Sequence, residues 1–260
     1  MKALVTGATS GIGKCIAQSL HRRGWKLVLT GRNEKVLKEM QKRFGNGTEI
    51  ITAELSDRNE VFKVYEYCKD KNIDMLVNNA GYGIFGKFDE TDLVDELGMI
   101  DVNITALHIL TKLFLRDFKK RDSGFILNVA SVAGFMTGPL MSSYYASKNY
   151  VLRLSLAIAE ELRHDHSNVK ITVLCPGPVN TNFNNRAGVN FSAKPISPEY
   201  AAEYALKKLF QGKCLAVPSL TAKACAFGQR FVPHRLLSSV TYHVQHAKKT
   251  ADGKSRAVEK

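Results

Sequence analysis

The sequence has few cysteines, and their positions do not suggest a covalent or metal-bound scaffold. Five cysteines occur among 260 residues, at positions 15, 68, 175, 214 and 225, and no two have the CxxC spacing. An odd number without paired spacing gives little support to a disulfide framework or a zinc site. His164 and His166 lack an acidic or cysteine partner pattern. We therefore expect reduced thiols and no bound metal.

Long apolar runs are also missing. None approaches the roughly 20 residues that cross a bilayer, and the first predicted strand begins at Lys2, which leaves no room for a signal peptide. We therefore expect a cytoplasmic protein. With 45% hydrophobic and 23% charged residues, the chain is long enough to bury the core of one large α/β domain.

Acidic residues are absent from much of the C-terminal part. Between Tyr204 and Ala251 the sequence has eight Lys or Arg and no Asp or Glu, so most of the net charge of +13 lies there. Apolar residues recur at helical spacing on both sides of Pro233, which predicts two short amphipathic basic helices. These apolar residues are Leu220, Ala224, Phe227 and Phe231, followed by Leu236, Leu237 and Val240.

Such basic helices have several possible roles, which the sequence leaves open. They could pack on the core and cap a pocket, lie on an anionic membrane surface, or bind an acidic carrier protein or a phosphorylated substrate. No aromatic and basic platform accompanies the charge, so we do not expect nucleic acid as a partner.

The rest of the chain alternates strand-like runs with helical stretches. This alternation is typical of a parallel sheet with helices on both faces, and right-handed crossovers make it a doubly wound sheet with its ligand at the carboxyl ends of the strands. We predict a single α/β domain of this class. The predicted strands are KALV (2–5), KLVLT (26–30), TEIIT (48–52), DMLVN (74–78), GFILNVA (124–130), VKITVLCPG (169–177) and KCLAVP (213–218).

A glycine-rich stretch, TGATSGIGKC (6–15), follows the first predicted strand. Gly7, Gly11 and Gly13 allow a tight turn that brings backbone amides against a ligand, and the helix start adds partial positive charge. A pyrophosphate is the favoured guest of such a loop. Glycines at strand ends also serve as simple turns, and TGxxxGxG differs from the commoner GxGxxG. The loop alone therefore leaves both interpretations open.

Further motifs follow in a fixed order: NNAG (78–81), Asn103, Ser131, YYASK (144–148) and CPGPVNT (175–181). With the glycine loop, they make roughly residues 1–200 similar to the short-chain dehydrogenase/reductase family. The resemblance implies a Rossmann-type fold and hydride transfer between a nicotinamide cofactor and an alcohol or carbonyl. Residues 1–218 would form the dinucleotide-binding and catalytic domain. Residues 219–260 would form a basic helical extension packed on or beside it.

The resemblance also implies a set of cofactor-binding residues. The glycine loop would hold the pyrophosphate and the adenosine ribose, the backbone after the fourth strand would lie along the cofactor, and CPGPVNT would pass the nicotinamide. The assigned residues are Gly7, Thr9, Ser10, Gly11, Ile12, Gly13, Arg32, Glu54, Leu55, Asn79, Ala80, Gly81, Tyr144, Lys148, Pro176, Gly177, Val179 and Thr181.

The end of the second strand favours NADP(H) over NAD(H). Arg32 occupies the place where an acidic residue would bind a free 2′-hydroxyl and where an arginine binds a 2′-phosphate. The nearest acidic residue, Glu34, lies beyond the strand, in a predicted first helical turn. Family members commonly carry an Asp and a hydrophobic residue for adenine recognition, and here Glu54 and Leu55 stand in that place.

By the same resemblance, Ser131, Tyr144, Lys148 and Asn103 are the catalytic residues. Tyr144 and Lys148 are four residues apart, so a helix brings both to one face. Lys148, together with an oxidised nicotinamide, would lower the pKa of Tyr144 and make it the general acid or base. Ser131 would hold the substrate oxygen, and Asn103 would interrupt a helix and anchor a water connected to Lys148. Tyr145 has no lysine four residues on, so we interpret it as a packing residue.

The expected activity is therefore an NADPH-dependent carbonyl reductase or alcohol dehydrogenase. Its substrate would be an apolar ketone of the 3-ketoacyl, ketosphingoid or steroid type, selected by a loop from about residue 182 to 198. The alternative is a non-catalytic NADP(H)-binding protein that acts through its basic end. The resemblance favours a homodimer or tetramer through helices near 105–120 and 144–164.

Overall fold

The computed structural model describes residues 1–181 and 195–246. Within them, a parallel sheet has the strand order β3-β2-β1-β4-β5-β6-β7. The order changes direction beside β1, as in a doubly wound sheet. The strands are β1 (Lys2–Thr6), β2 (Lys26–Gly31), β3 (Thr48–Thr52), β4 (Met75–Asn78), β5 (Phe125–Val129), β6 (Lys170–Leu174) and β7 (Leu215–Ala216).

Helices follow the strands and cover both faces of the sheet. Their bounds are α1 (Gly11–Arg22), α2 (Glu34–Phe44), α3 (Arg58–Lys69), α4 (Leu93–Ile100), α5 (Leu107–Lys120), α6 (Ser142–His164), α7 (Pro198–Phe210), α8 (Leu220–Gly228) and α9 (His234–His246). Short 3₁₀ turns lie at Val132–Phe135 and Gln229–Phe231. The predicted fold class is therefore confirmed.

The two faces are built by the alternation of side chains along each strand. In β1, Ala3 and Val5 join the core formed with α1, α2 and α7, while Leu4 joins the core formed with α3, α5 and α6. Because both faces are covered, the central strands are mainly apolar, as parallel strands usually are.

The strand predictions are correct in number and order but too long at several ends. β5 ends at Val129, one residue before its predicted end, and β6 ends at Leu174, three residues before its predicted end. Pro176 has no amide hydrogen, so the ladder cannot continue through it. The chain leaves the sheet there and turns toward the carboxyl edge.

One continuous helical segment, Leu93–Lys120, is long and apolar enough to span a bilayer by length and composition, with a mean hydropathy of 1.3 in its best window. Leu110, Phe114 and Phe118 of this segment are fully buried in the core against the sheet. Core helices often pass such a test, and the packing accounts for the apolar composition here.

Buried polar side chains join the sheet to the helices beneath the carboxyl edge. Asn78 donates from Nδ2 to Oδ1 of Asn128 on β5 at 3.0 Å and to Oγ1 of Thr111 on α5 at 2.9 Å. Asn128 donates in turn to Oγ of Ser155 on α6 at 3.0 Å. Asn78 therefore ties β4 to β5 and to α5, and this network fixes the strand ends that carry the site.

Candidate active site

A cavity of about 740 Å³ opens at the carboxyl ends of β1, β2, β4, β5 and β6. This is where a doubly wound sheet binds its ligands, next to the change in strand direction. The glycine loop lines one end, and Ser131, Tyr144 and Lys148 line the other. The residues assigned to cofactor and chemistry thus converge on one cavity, although they are spread along the chain.

The glycine loop turns from β1 into the first turn of α1. Gly7 and Gly11 have φ angles of +60° and +53°, in the left-handed region that a side chain rarely adopts. Ser10 is the N-cap residue, yet its side chain forms no capping hydrogen bond, and the first turn contains no acidic residue. The start of α1 therefore faces the cavity with the polarity that suits an anion.

Gly13 differs from the other loop glycines, because it is buried and is not among the residues that line the cavity. A Cβ built on Gly13 would lie 2.2 Å from Nδ2 of Asn79 and 2.5 Å from the carbonyl oxygen of Gly7. The same Asn79 nitrogen donates to the carbonyl oxygens of Thr6 and Gly7, each at 3.1 Å. Gly13 therefore allows the loop to pack against Asn79, and its assignment to direct cofactor contact stays a prediction.

Arg32 and Glu54 form an ion pair at the end of the cavity that the glycine loop lines. Nη1 of Arg32 lies 3.3 Å from Oε2 of Glu54, and Oε1 of Glu54 accepts a hydrogen bond from the amide of Ser56 at 3.2 Å. Both side chains are largely exposed. Leu55 also lines the cavity. Both charged residues were predicted at the adenosine end, but their pairing was not.

Ser131 and Tyr144 meet at the opposite end. Ser131 is the N-cap residue of the 3₁₀ turn after β5, and its Oγ accepts a hydrogen bond from the amide of Ala133 at 3.1 Å. Its hydroxyl is also hydrogen-bonded to the hydroxyl of Tyr144, in the first turn of α6. Strand end and helix start thus bring together two hydroxyls that are thirteen residues apart.

Lys148 lies one helical turn beyond Tyr144 and is buried. Its Nζ donates to the carbonyl oxygen of Val129 at 3.0 Å and lies 5.9 Å from the centroid of the Tyr144 ring. Burial lowers the pKa of Lys148 to about 8, although the Cys175 thiol beside it favours the cation. This lysine therefore titrates in a range where most lysines stay charged.

Tyr144 differs from the expectation in one respect. Burial raises the pKa of its phenol well above the usual value, and the hydrogen bond from Ser131 offsets this only in part. The predicted lowering requires the charges of Lys148 and of an oxidised nicotinamide near the phenolate. In the chain itself, desolvation of the phenolate is the larger effect, so Tyr144 holds its proton.

Asn103 lies behind the cavity rather than in its wall. It belongs to a π-helical turn, Asp101–Ala106, that separates α4 from α5, so the predicted interruption of a helix is confirmed. Its Nδ2 donates to the carbonyl oxygen of Tyr82 at 2.9 Å and to Oγ of Ser147 at 3.0 Å. A Cβ on Gly81 would lie 2.8 Å from Oδ1 of Asn103 and 3.2 Å from Nζ of Lys148.

The catalytic assignment of Asn103 stays a prediction. In the structure its amide holds the backbone after β4 and the helix that carries Lys148 in place, and the residue does not line the cavity. Only a glycine at position 81 leaves room between the two side chains.

The remaining predicted cofactor residues line the cavity. The stretch after β6 is held by a hydrogen bond from the amide of Val132 to the carbonyl oxygen of Pro176 at 3.0 Å, and by a bridge between Val179 and Ile196. A Cβ on Gly11 would lie 3.1 Å from Cγ2 of Thr181, which places this stretch close to the glycine loop. Of the predicted substrate loop, residues 182–194 lie outside the described residues.

Tyr145 is not only a packing residue, which corrects the sequence interpretation. Its ring lines the cavity at 6.0 Å from the Tyr144 ring, and its hydroxyl accepts a hydrogen bond from Nε2 of Gln245 on α9. Burial raises its pKa to about 12. The second tyrosine of YYASK therefore connects the C-terminal helix to the cavity wall.

A further group of apolar and hydroxyl side chains along the cavity was not predicted from the sequence. Periodicity gave no signal for most of them, because separate loops and helices bring them together only in the fold. Besides Tyr145, they are Tyr82, Val102, Val132, Ala133, Met136, Met141, Ser219, Thr221, Ala222 and Val244.

With this geometry established, comparison with known proteins identifies the family. The sequence profile of short chain dehydrogenases matches residues 1–190. The chain belongs to the short-chain dehydrogenase/reductase family. An uncharacterized oxidoreductase of Staphylococcus saprophyticus is 33% identical over 227 residues, which cover 85% of this chain and 96% of that protein.

Solved structures of the family share the fold over nearly the whole chain. A short-chain dehydrogenase from Sphingobium yanoikuyae in complex with NADPH is 26% identical, with a TM-score of 0.81, and the match covers 98% of this chain and 99% of that one. A short-chain dehydrogenase/reductase from Burkholderia phymatum in complex with NAD is 21% identical, with a TM-score of 0.78 and coverage of 98% and 97%. Because these two proteins bind different dinucleotides on the same fold, the fold alone does not determine which dinucleotide this chain prefers.

Proposed function

We propose that this chain is an NADP(H)-dependent carbonyl reductase or alcohol dehydrogenase acting on an apolar ketone or the corresponding alcohol. The observation that carries the proposal is the Ser131–Tyr144 hydrogen bond, with buried Lys148 one helical turn away, in the cavity that the glycine loop also lines. A protein that only bound the dinucleotide would not require this arrangement of proton-transferring groups.

The residues present fit a nicotinamide dinucleotide phosphate. The turn at Gly7 and Gly11 leaves the start of α1 open for the pyrophosphate, and any side chain at Gly7 would collide with Ala80 and Asn79. Arg32 offers a guanidinium for a 2′-phosphate at the end of β2. The NADPH complex of the Sphingobium relative supports the same choice. When bound, the cofactor supplies or accepts the hydride.

The chain's own groups would move the proton. Ser131 would donate its hydroxyl hydrogen to the substrate oxygen and hold that oxygen beside Tyr144. Tyr144, which keeps its proton near neutral pH, would act as the general acid in reduction. Lys148 in its cationic form would stabilise the phenolate left behind.

The substrate end of the cavity favours an apolar molecule. Val132, Met136, Met141 and Tyr145 line it, and Ala222 and Val244 of the C-terminal helices extend the apolar wall. Flexible methionine side chains adapt to bulky apolar shapes. We therefore favour a long-chain ketoacyl, ketosphingoid or steroid-like carbonyl over a sugar.

The family is commonly oligomeric, and we expect this chain to form a homodimer or tetramer through α5 and α6. Sedimentation velocity at several concentrations tests this expectation without any substrate. A protein that remained a monomer throughout would contradict it.

The decisive experiment follows NADPH oxidation with purified protein against ketoacyl, steroid, sugar and quinone carbonyls. We expect turnover with at least one bulky apolar ketone and little with sugars. The Tyr144→Phe variant, which retains the ring and loses the hydroxyl, is the control for contaminating activity. If NADPH binds tightly but no carbonyl in the panel is reduced, the non-catalytic alternative gains the support that the reductase loses.

A further inference from the structure

The two C-terminal helices pack in the reverse of the usual sense for amphipathic helices. In α8, the small residues Ala222 and Ala226 are buried, while Leu220 and Phe227 on the opposite side of the helix face outward. Small side chains let the helix approach the core closely. The bulky apolar stripe predicted from the sequence is therefore the outer face of α8, although the helix itself packs on the core through Ala222 and Ala226.

Helix α9 shows the same reversal. Thr241 and Gln245 are buried, Ser238 shares a hydrogen bond with Thr137 at 2.8 Å, and Gln245 donates to Tyr145. These three polar residues lie on one helical face. Residues 236, 240 and 244 follow one another at intervals of four on a different face, and they are apolar.

Together, α8, the 3₁₀ turn and α9 present what we call the outer apolar face. Its members have exposed fractions between 51% and 81%, and the Phe227 and Phe231 rings touch each other with centroids 5.4 Å apart. Exposed apolar side chains that touch one another, as Phe227 and Phe231 do, often mark a surface that something covers. The outer apolar face consists of Leu220, Phe227, Phe231, Leu236, Val240 and Val244.

The charge around this face decides between possible occupants. Lys223 and Arg235 are exposed on the same helices, and no acidic residue occurs in the sequence between Tyr204 and Ala251. A second copy of the chain in a two-fold pairing would bring two such basic surfaces together, which like-charge repulsion opposes. An anionic partner is favoured.

We infer that the outer apolar face docks on an anionic lipid surface, with α8 and α9 lying in the plane of the interface. Phe and Leu side chains on one side of a helix with Lys and Arg beside them are the pattern of interfacial helices, which insert their apolar side among the lipid headgroups. Basic residues near the surface strengthen such binding in membranes that contain anionic lipids. The inference does not depend on the reaction proposed above.

The helices that carry the outer apolar face also form part of the cavity wall. Ala222 and Val244, from the two docking helices, also line the cavity. An apolar ligand that left the bilayer at α8 and α9 would therefore enter the cavity along an apolar wall.

The test is co-sedimentation of the full chain with vesicles of phosphatidylcholine alone and of phosphatidylcholine mixed with phosphatidylglycerol. We expect binding to the mixed vesicles only, and weaker binding as the screening length falls from about 30 Å at 0.01 M to about 8 Å at 0.15 M ionic strength. Equal binding to both vesicle types would overturn the role of charge. No binding to either would overturn the inference.

Matched variants assign the binding to the outer apolar face. Phe227→Ser should weaken vesicle binding about tenfold, since burying a phenyl ring contributes strongly to membrane affinity. Phe62→Ser removes a similarly exposed ring from α3 and should change nothing. Unchanged NADPH binding and melting temperature show that both variants are folded. Equal vesicle affinities of the two would contradict the assignment.

Two double variants that remove positive charge at different places test the role of the basic residues. The double variant Lys223→Gln and Arg235→Gln should lose about tenfold in binding to phosphatidylglycerol vesicles, whereas Lys42→Gln with Arg43→Gln, exposed on α2, should not. If wild type instead binds a purified acidic acyl carrier protein and no vesicle, the face belongs to a carrier. If Phe227→Ser instead dissociates an oligomer, the outer apolar face is a contact between copies of the chain. Either result would overturn the lipid inference.

Discussion

Nη1 of Arg32 lies 3.3 Å from Oε2 of Glu54, although the two residues are at the ends of different strands and 22 positions apart. If Arg32 binds a 2′-phosphate as proposed, we expect the phosphate to meet this carboxylate beside the guanidinium. The Arg32 side chain is 60% exposed and the Glu54 side chain 44%, so the pair itself contributes little to stability. Its consequence is competition: an incoming phosphate must share or displace Glu54.

The cofactor preference follows from this pair. We expect NADPH to bind more tightly than NADH, and Arg32→Asp to reverse the order, because a charge-assisted hydrogen bond to phosphate is worth about 1.5–3 kcal/mol, or roughly tenfold to a hundredfold. Glu54→Gln should strengthen NADPH binding a few-fold by removing the competitor. Isothermal titration calorimetry measures each affinity.

Arg43→Asp, on the exposed end of α2, is the control for the loss of positive charge alone. It should leave the ratio of NADPH to NADH affinity unchanged. Equal affinities of the unmodified protein for the two cofactors would remove the basis for assigning Arg32 to the phosphate.

The adjacent tyrosines provide a second prediction. Tyr144→Phe should lower kcat by about 10²–10⁴-fold, the usual worth of a positioned general acid, and leave NADPH affinity unchanged. Tyr145→Phe should keep kcat and alter KM, because its hydroxyl binds Gln245 and lines the cavity. Steady-state kinetics on the best ketone separates the two. Comparable losses of kcat in both variants would mean that the roles of the tyrosines are not distinct.

The chemistry of the site was largely predictable from local spacing. Tyr144 and Lys148 are four residues apart on one helix, so their shared face follows from helical geometry. Ser131 and Asn103 were assigned by the resemblance to the family, with the thirteen-residue distance from Ser131 to Tyr144 supporting the first of them. These relationships are short-range, or fixed by the order of strands in the sheet.

The features that the sequence did not predict depend on which face of a helix packs against the core. The rule that bulky apolar residues face inward selected Leu220 and Phe227 on α8, yet Ala222 and Ala226 are buried there, because small side chains permit closer packing. Likewise, the cavity contact of Tyr145 depends on Gln245, a hundred residues away. No local period reveals such partners.

A third prediction concerns the alkaline stability of the cofactor-free protein. Lys148 has a pKa of about 8 in the fold against 10.5 in its ordinary state. Between these values the unfolded chain binds more protons than the native one, so this lysine makes stability rise with pH. Below about pH 8 the fold carries the full cost of burying the charged lysine. By pH 10.5 the gain in the free energy of unfolding is on the order of 3 kcal/mol, at 1.36 kcal/mol per pH unit.

Urea unfolding of wild type and Lys148→Met across this pH range measures the effect. Methionine has similar length and no charge, so the variant should lack the contribution while other titrating groups act equally in both proteins. The difference in unfolding free energy should therefore shift in favour of wild type as pH rises. A difference that stays constant would show that Lys148 titrates normally.

The last prediction contrasts two glycines of the site. A Cβ at Gly13 would lie 2.2 Å from Asn79 Nδ2, whereas a Cβ at Gly177 meets nothing within 4 Å. Gly13→Ala gains up to about 1 kcal/mol of helix propensity, but overpacking at a buried site costs about 1–3 kcal/mol. We expect the clash to dominate, so this variant should be less stable and bind NADPH weakly because Asn79 must move. Gly177→Ala should unfold like wild type in urea while losing cofactor affinity, since Gly177 lines the cavity. A Gly13→Ala protein with wild-type stability and NADPH affinity would show that Asn79 is not required where the structure has it.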